Sequence, residues 1–210
     1  MATHAGGEAG MSNKERILHT AIELFAQKGY SNVTMREIAG KVQIKAASIY
    51  NHFRGKEALL EEIVQVFRQR LREEVYPGFK TTPDTPVRDF ISSVVTANER
   101  FFMNPLYAGM GAVLLREQFH SSAVRDMIYE ELIARPIQVF AAYFESMMAA
   151  GRMRTCDPEM AAKEFHAFFV YRFYENSLTQ GRVIQDAAQA KREGEAHILF
   201  FLETFCGLTG

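Results

Sequence analysis

At 210 residues, 48% of them hydrophobic, the chain is long enough to bury a sizeable core as one large domain or two small ones. Its net charge of −1 argues neither for nor against a polyanionic partner. The distribution is more informative: 12–60 holds eight Lys or Arg against four Glu, a net +4, and the remainder carries −5. A basic first quarter on an acidic body is the footprint of a local nucleic-acid module. The two cysteines, Cys156 and Cys206, lack metal spacing and read as reduced thiols of a cytoplasmic protein. No apolar run reaches the roughly 20 residues that span a membrane, and 1–10 lacks the apolar core of a signal peptide.

Residues 1–11 read as a flexible tail. A helix over 12–28 follows, opened by a Ser12–Glu15 capping box, striped by Ile17, Ala21, Leu24 and Phe25, and closed by Gly29. Thr34 with Glu37 is a second capping box and Val33 with Ile38 a hydrophobic staple, so a short helix ends near Val42. A tight turn leads into a short helix over 46–53. A long helix over 56–75, capped by Gly55, has Leu60, Ile63, Val64, Phe67 and Leu71 as its buried stripe. Pro77, Gly78 and Pro83 break the pattern at 76–85. Beyond it, Thr85-Pro86, Asn104-Pro105 and Asp157-Pro158 pair a capping residue with proline at the first helical position. Helices are expected near 86–103, 105–119, 122–151, 158–180 and 191–207, with a kink or break at Pro136. The fold class is all-α, with about nine helices.

The 33–60 segment is the most chemically suggestive. A helix that reads the major groove presents side chains near its N-terminal end and is held by phosphate contacts. Lys45 precedes the short helix, where a cation opposes the helix dipole unless an anion is near. Ala46, Ala47 and Ser48 are small enough for close approach to bases. Tyr50, Asn51 and His52 project polar groups, and Lys56 lies on the first turn of the next helix, beside free N–H groups. Ile49 and Phe53, four apart, hold the segment to the core.

This stretch resembles the N-terminal domain of the TetR/AcrR family of transcriptional regulators. The resemblance rests on Phe25-Ala26-Gln27-Lys28-Gly29-Tyr30, then Val33-Thr34-Met35-Arg36-Glu37-Ile38-Ala39, then Ile49-Tyr50-Asn51-His52-Phe53, then Lys56-Glu57-Ala58-Leu59, all four at matching spacing. It implies a three-helix helix-turn-helix DNA-binding domain over 12–55. It also implies a helical effector-binding and dimerisation domain over 56–210, with helix 56–75 linking the two. By the resemblance, Thr34, Tyr50, His52 and Lys56 fall where the family contacts phosphates. Lys45, Ala46, Ser48 and Asn51 fall where it faces the groove. Gln43 stands where the family usually has a glycine and tolerates left-handed geometry less well. Lys45 replaces a usual serine, and Ala47 a usual glycine.

The C-terminal half is rich in aromatic residues and methionine, which suits either a packed core or an apolar cavity with few polar anchors. Arg172 shares a face with Phe165, Phe168 and Phe169, so its guanidinium needs a partner, either Glu175 or an anionic ligand. Arg116 and Glu117 interrupt an apolar run and pose the same choice, and His166 is a core histidine or a ligand contact. Tyr107, Tyr143 and Phe169 complete the candidate effector contacts. Gly109 and Gly111 either loosen their helix or let it pack closely. Glu117 and His120 have the spacing of a di-iron half-site, but no second copy accompanies them, so neither a metal nor another cofactor is expected. Ile198, Phe201, Leu202 and Phe205 repeat at helical spacing, as a core stripe or, with the family's four-helix interface in view, as a homodimer surface. The expectation is a dimeric repressor on a palindromic operator with half-sites about 34–36 Å apart, released when a largely apolar effector moves helix 56–75. A DNA-binding regulator without an effector is the alternative. An enzyme on a helical scaffold is a weaker one, because no nucleophile–base pair, phosphate loop or metal cluster appears.

Overall fold

A computed structural model describes residues 10–82, 84–178 and 187–207. The tail at 1–9, Pro83 and the end of the helix expected over 158–180 lie outside them. Every regular element among the described residues is helical. Helix α1 (Asn13–Lys28) opens on a complete capping box: the Glu15 N–H donates to Ser12 Oγ, and the Glu15 carboxylate accepts the Ser12 N–H at 2.8 Å. Gly29 closes it at φ 83, a left-handed φ that glycine adopts without penalty. Helix α2 (Met35–Val42) begins at Thr34, whose Oγ1 accepts the Glu37 N–H at 3.2 Å. The returning half of that expected box is replaced. The Glu37 carboxylate instead binds Lys28 Nζ at 2.5 Å, because an ammonium offers it more than an exposed backbone N–H does.

The turn after α2 is a Schellman motif built on a non-glycine residue. The Ile44 N–H reaches the Ala39 carbonyl at 3.0 Å and the Gln43 N–H reaches the Gly40 carbonyl at 3.2 Å. Gln43 sits at φ 62, ψ 40, the only positive φ outside glycine among the described residues.

The short α-helix expected over 46–53 is instead a 3₁₀ turn, Ser48–Asn51. The Ser48 N–H bonds the Lys45 carbonyl at 2.8 Å, and the Ile49 carbonyl accepts both the His52 and Phe53 N–H groups. Ser, Ile, Tyr, Asn and His are all mediocre α-formers. The buried anchors Ile49 and Phe53 set the geometry of so short a piece. Helix α3 (Lys56–Arg70) continues into a π turn, Leu71–Val75, and a 3₁₀ turn, Tyr76–Phe79.

The body comprises α4 (Val87–Phe102), α5 (Pro105–Glu117), α6 (Ser122–Met127), α7 (Arg135–Ala149), α8 (Pro158–Leu178) and α9 (Ala187–Cys206). Between α6 and α7 lies a second π turn, Ile128–Ala134, which resolves the break expected at Pro136. Helix α1 docks directly on α5. The Arg116 guanidinium donates to the Ala26 carbonyl at 2.7 Å, and a Cβ on Gly109 would stand 3.1 Å from Ile22. Gly111 likewise leaves room for Phe173, 3.0 Å from where its Cβ would be. Close packing, rather than a loosened helix, is what these two glycines provide. One continuous core runs through the body and the head, which is α1, α2 and the 3₁₀ turn at Ser48–Asn51.

Left-handed backbone costs a side-chain-bearing residue roughly 1–2 kcal/mol, partly offset for glycine by its larger entropy in the unfolded chain. Gln43→Gly should therefore stabilise the protein by about 0.5–1 kcal/mol, read as a raised midpoint in chemical denaturation. An unchanged or lowered midpoint would mean that the Gln43 side chain contributes more than its backbone strain costs.

Candidate functional site

The exposed face of the head is defined by which cations are already engaged. Lys14 pairs with Glu62 at 2.6 Å, Lys28 with Glu37, and Lys41 with Glu23 at 2.9 Å. Arg16 donates to the Val42 carbonyl at 2.9 Å and so ties α1 to the end of α2. Lys56 donates to the Tyr30 carbonyl at 3.0 Å, and its ammonium lies 4.6 Å from the centre of the Tyr30 ring. Arg36, Lys45 and Arg54 are exposed and, among the described residues, make no ion pair. Lys45 and Arg54 flank the 3₁₀ turn, on which Ala46, Asn51 and His52 are exposed, Ser48 is half-buried and Tyr50 is 54% exposed. A four-residue 3₁₀ turn carries little macrodipole, so the expected dipole conflict at Lys45 does not arise. What remains at Lys45 is an unpaired charge beside a small-residue surface.

In the body, a cavity of about 280 Å³ lies among α4, the end of α5, the 128–134 π turn and α8. His166 and Phe169 line it, with Asn98, Gln118, Leu132 and Ile133. The other sequence-expected contacts lie elsewhere. Tyr107 stacks on Phe101 and donates to Glu74 at 2.6 Å. Tyr143 packs on Phe90 and donates to the Thr85 carbonyl at 2.8 Å. Arg116 faces α1, and Glu117 lines an open groove between head and body. Arg172 pairs with neither Glu175 nor this cavity; it forms an ion pair with Glu193 of α9 and lies over the Phe168 ring. A guanidinium on an apolar face needs an anion, and here the anion comes from 21 residues away in sequence. On α9, the expected dimer stripe faces inward: Ile198, Phe201 and Leu202 are buried and Phe205 is half-buried against Phe201. Leu199 and Phe200 are the large apolar residues that α9 exposes among the described residues.

The cavity wall is joined to α3 by a cluster that the sequence reading did not single out. Pro136 has no N–H to offer the carbonyls four and five residues before it, Leu132 and Glu131. Side chains meet both. His166 Nε2 lies 2.5 Å from the Leu132 oxygen, and the Tyr76 hydroxyl lies 2.9 Å from the Glu131 oxygen. The Glu131 side chain, fully buried, binds Arg72 in the first π turn and stands 2.6 Å from the Tyr76 hydroxyl, 3.3 Å from Arg135 Nε and 3.5 Å from Arg68 Nε. Burial pushes the Glu131 carboxyl up. The hydrogen bonds from Arg72 and Tyr76, with the Arg72 and Arg135 charges, outweigh that and hold it below its ordinary pKa. Burial lowers the His166 pKa against the opposing pull of the Leu132 carbonyl. The ring is therefore neutral near pH 7, with its proton on Nε2. A proline inside an otherwise helical pattern was the one visible signal of this cluster. Glu131 itself sits among Glu130 and Arg135 like any surface charge.

Residues 17–63 match the family model of bacterial regulatory proteins of the tetR family, and 92–206 match the C-terminal domain of AefR-like transcriptional repressors. The probable HTH-type transcriptional regulator YttP of Bacillus subtilis is 36% identical over 75 residues, covering 36% of this chain and 32% of that protein. IcaR of Staphylococcus aureus, a negative regulator of the biofilm operon icaADBC, is 44% identical over 52 residues, covering 25% of this chain and 28% of that protein. The chain thus spans less than a third of the length of these curated relatives. The solved SmeT–triclosan complex superposes with a TM-score of 0.71 at 18% identity, covering 93% of this chain and 92% of that one, a likeness of fold.

Glu131→Gln removes the charge from a buried cluster whose guanidiniums reach solvent. It should destabilise the protein at pH 7 by about 3 kcal/mol, the lower end for a broken buried pair. With its folded pKa depressed, Glu131 contributes stability above its unfolded value of about 4.5. That contribution is lost as pH falls through the folded pKa. The gap between wild type and variant should therefore narrow below about pH 4.5 in denaturation curves. A gap independent of pH would show that the carboxylate charge is not what holds the cluster.

Proposed function

The chain belongs to the tetR family of bacterial regulatory proteins, and from that premise we propose that it is a homodimeric repressor released from a palindromic operator by a small, largely apolar effector. The observation that carries the DNA-binding half is the head surface. Most of its basic side chains are engaged internally, while Lys45 and Arg54 stand unpaired on either side of the exposed 3₁₀ turn. In this reading the head, 12–55, sets Lys45, Ala46, Ser48 and Asn51 against base edges. Thr34, Tyr50 and His52, with Arg54, reach phosphates. Lys56 is a mixed case, since it ties α3 to Tyr30 as well as adding positive charge. Repression is the sense suggested by the AefR-like C-terminal match and by IcaR.

The effector half rests on the cavity. A body packed solid would favour a regulator without a ligand, and the space beside His166 and Phe169 favours the ligand-responsive reading. SmeT, similar in fold, has been solved with triclosan. The 128–134 π turn forms one wall of this cavity, and its Glu131 grips Arg72 and Tyr76 beyond α3. A ligand that displaces the wall would pull on α3 and change the spacing of the two heads. For release, the effector must favour one spacing over the other. Dimerisation is assigned to the outer faces of α8 and α9, where Tyr171, Leu199 and Phe200 are exposed. The stripe of Ile198, Phe201 and Leu202 expected from the sequence is occupied by the protein's own core.

Binding of purified protein to its own promoter DNA tests the reading. Lys45→Ala should leave thermal stability within about 0.5 kcal/mol of wild type and weaken specific binding more than binding to random DNA. Lys56→Ala should weaken both equally, lower the salt slope by about one, and also cost about 1–2 kcal/mol of stability through its lost carbonyl and ring contacts. Wild-type affinity for both DNAs with Lys45→Ala would remove the 3₁₀ turn from the interface.

A further inference from the structure

Among the described residues only three polar side chains are buried: Gln118, Glu131 and His166. Glu131 is consumed by the cluster described above. The other two both line the cavity, and neither brings a charge to it. His166 is neutral, and its Nδ1 is buried without a hydrogen-bond partner, so a proton added there would have no acceptor. Gln118 donates one amide hydrogen to the Leu115 carbonyl at 2.8 Å, and the Tyr174 hydroxyl donates to its Oε1 at a long 3.3 Å. Its second amide hydrogen and part of its oxygen's capacity are unused.

The charges that would accompany an ionic ligand are missing from the wall. Arg125 is the single ionisable cation lining it, and its side chain is 63% exposed and already paired with Asp126 at 3.4 Å. No carboxylate lines it. Arg172, the natural anchor for an anion, is neutralised by Glu193 and lines not the cavity but a smaller adjoining pocket of about 50 Å³, across the shared wall of Asn98, Phe102, Phe169 and Phe173. The cavity is open to solvent where exposed Arg125 and Tyr129 line it, but carrying a net charge to its buried wall at Gln118 and His166 costs far more than one neutral hydrogen bond returns. Phe102, Phe169 and Phe173 supply ring faces and edges, with Phe102 and Phe173 centred 5.7 Å apart. The volume, about 280 Å³, falls just below the roughly 300–1,000 Å³ usual for small-molecule sites, which suits two fused rings better than four.

The geometry points to an uncharged aromatic ligand of about bicyclic size, held by the phenylalanine rings and fixed by one hydrogen bond to the Gln118 carboxamide. This rests on the effector reading above and specifies its chemistry. It excludes the anionic ligand that Arg172 suggested in the sequence.

The test is direct titration of the full-length protein, without DNA, with 2-naphthol, naphthalene and 2-naphthoate. 2-Naphthol should bind at least tenfold more tightly than 2-naphthoate. Gln118→Leu, and Gln118→Met if the first variant unfolds, should weaken 2-naphthol by about three- to tenfold, the range for one neutral hydrogen bond, and leave naphthalene unchanged. Ile133→Trp should abolish binding of both by filling the cavity. Equal or tighter binding of 2-naphthoate overturns the inference. So does a failure of 2-naphthol to bind at millimolar concentration, or its undiminished binding to a folded Gln118 variant. Operator binding is measured separately. If 2-naphthol binds as expected but leaves the operator complex intact at saturation, the ligand chemistry stands and the effector reading falls for this ligand class.

Discussion

A single missing hydrogen-bond donor organises the middle of this protein. Because Pro136 lacks an N–H, the helix running from α6 into α7 cannot close its ladder, and the carbonyls of Glu131 and Leu132 turn to side chains. The backbone widens there into a π turn. Its two substitute partners come from opposite directions: Tyr76 from beyond α3 and His166 from α8. The turn is thereby fastened to the linker on one side and to the cavity on the other. The Glu131 carboxylate strengthens the first attachment with Arg72, Arg68 and Arg135. A regular α-helix at this place would satisfy its own carbonyls and need neither neighbour.

The head follows a different logic, in which charge is first used for assembly and the surplus is left for recognition. Lys14, Lys28 and Lys41 bridge helices at the surface, and Arg16 and Lys56 close the ends of α2 and the turn at Tyr30. The exposed pairs are individually weak, so their main effect is to decide which cations are free. Two that remain, Lys45 and Arg54, flank a piece of backbone too short to be a stable helix by itself. That piece is held from beneath by Ile49 and Phe53. Gln43 accepts a left-handed conformation before it because the Schellman bonds at Ala39 and Gly40 require one.

Much of this was legible from local pattern. Ser12 and Glu15, Thr34, Gly29, Asn104-Pro105 and Asp157-Pro158 mark helix ends because a cap is satisfied within a few residues. Thr85-Pro86 has the same pattern but does not cap: Thr85 Oγ1 accepts the Thr82 N–H instead, and Pro86 is itself the N-cap of α4, which begins at Val87. Ile17, Ala21 and Phe25, or Ile63 and Phe67, mark buried faces because helical period alone fixes which side chains share a side. The same period does not say what covers a face. Ile198, Phe201 and Leu202 are a buried stripe whether a partner subunit or the protein's own body lies over them, and here it is the body. Glu37 completed a capping box on paper, and Lys28 drew its carboxylate away.

What the sequence determined by itself, therefore, was the all-helical class, most helix boundaries and the head with its family. These depend on hydrogen bonds and packing between residues close in the chain, where spacing is geometry. Only the tertiary structure decided the partners of the polar residues in the body. Arg172 meets Glu193, Tyr107 meets Glu74, Glu131 meets Arg72, and Gln118 and His166 come to share one cavity. A buried polar group must find a partner, but the chain does not state which of many distant candidates the packing of helices will bring within 3 Å or so.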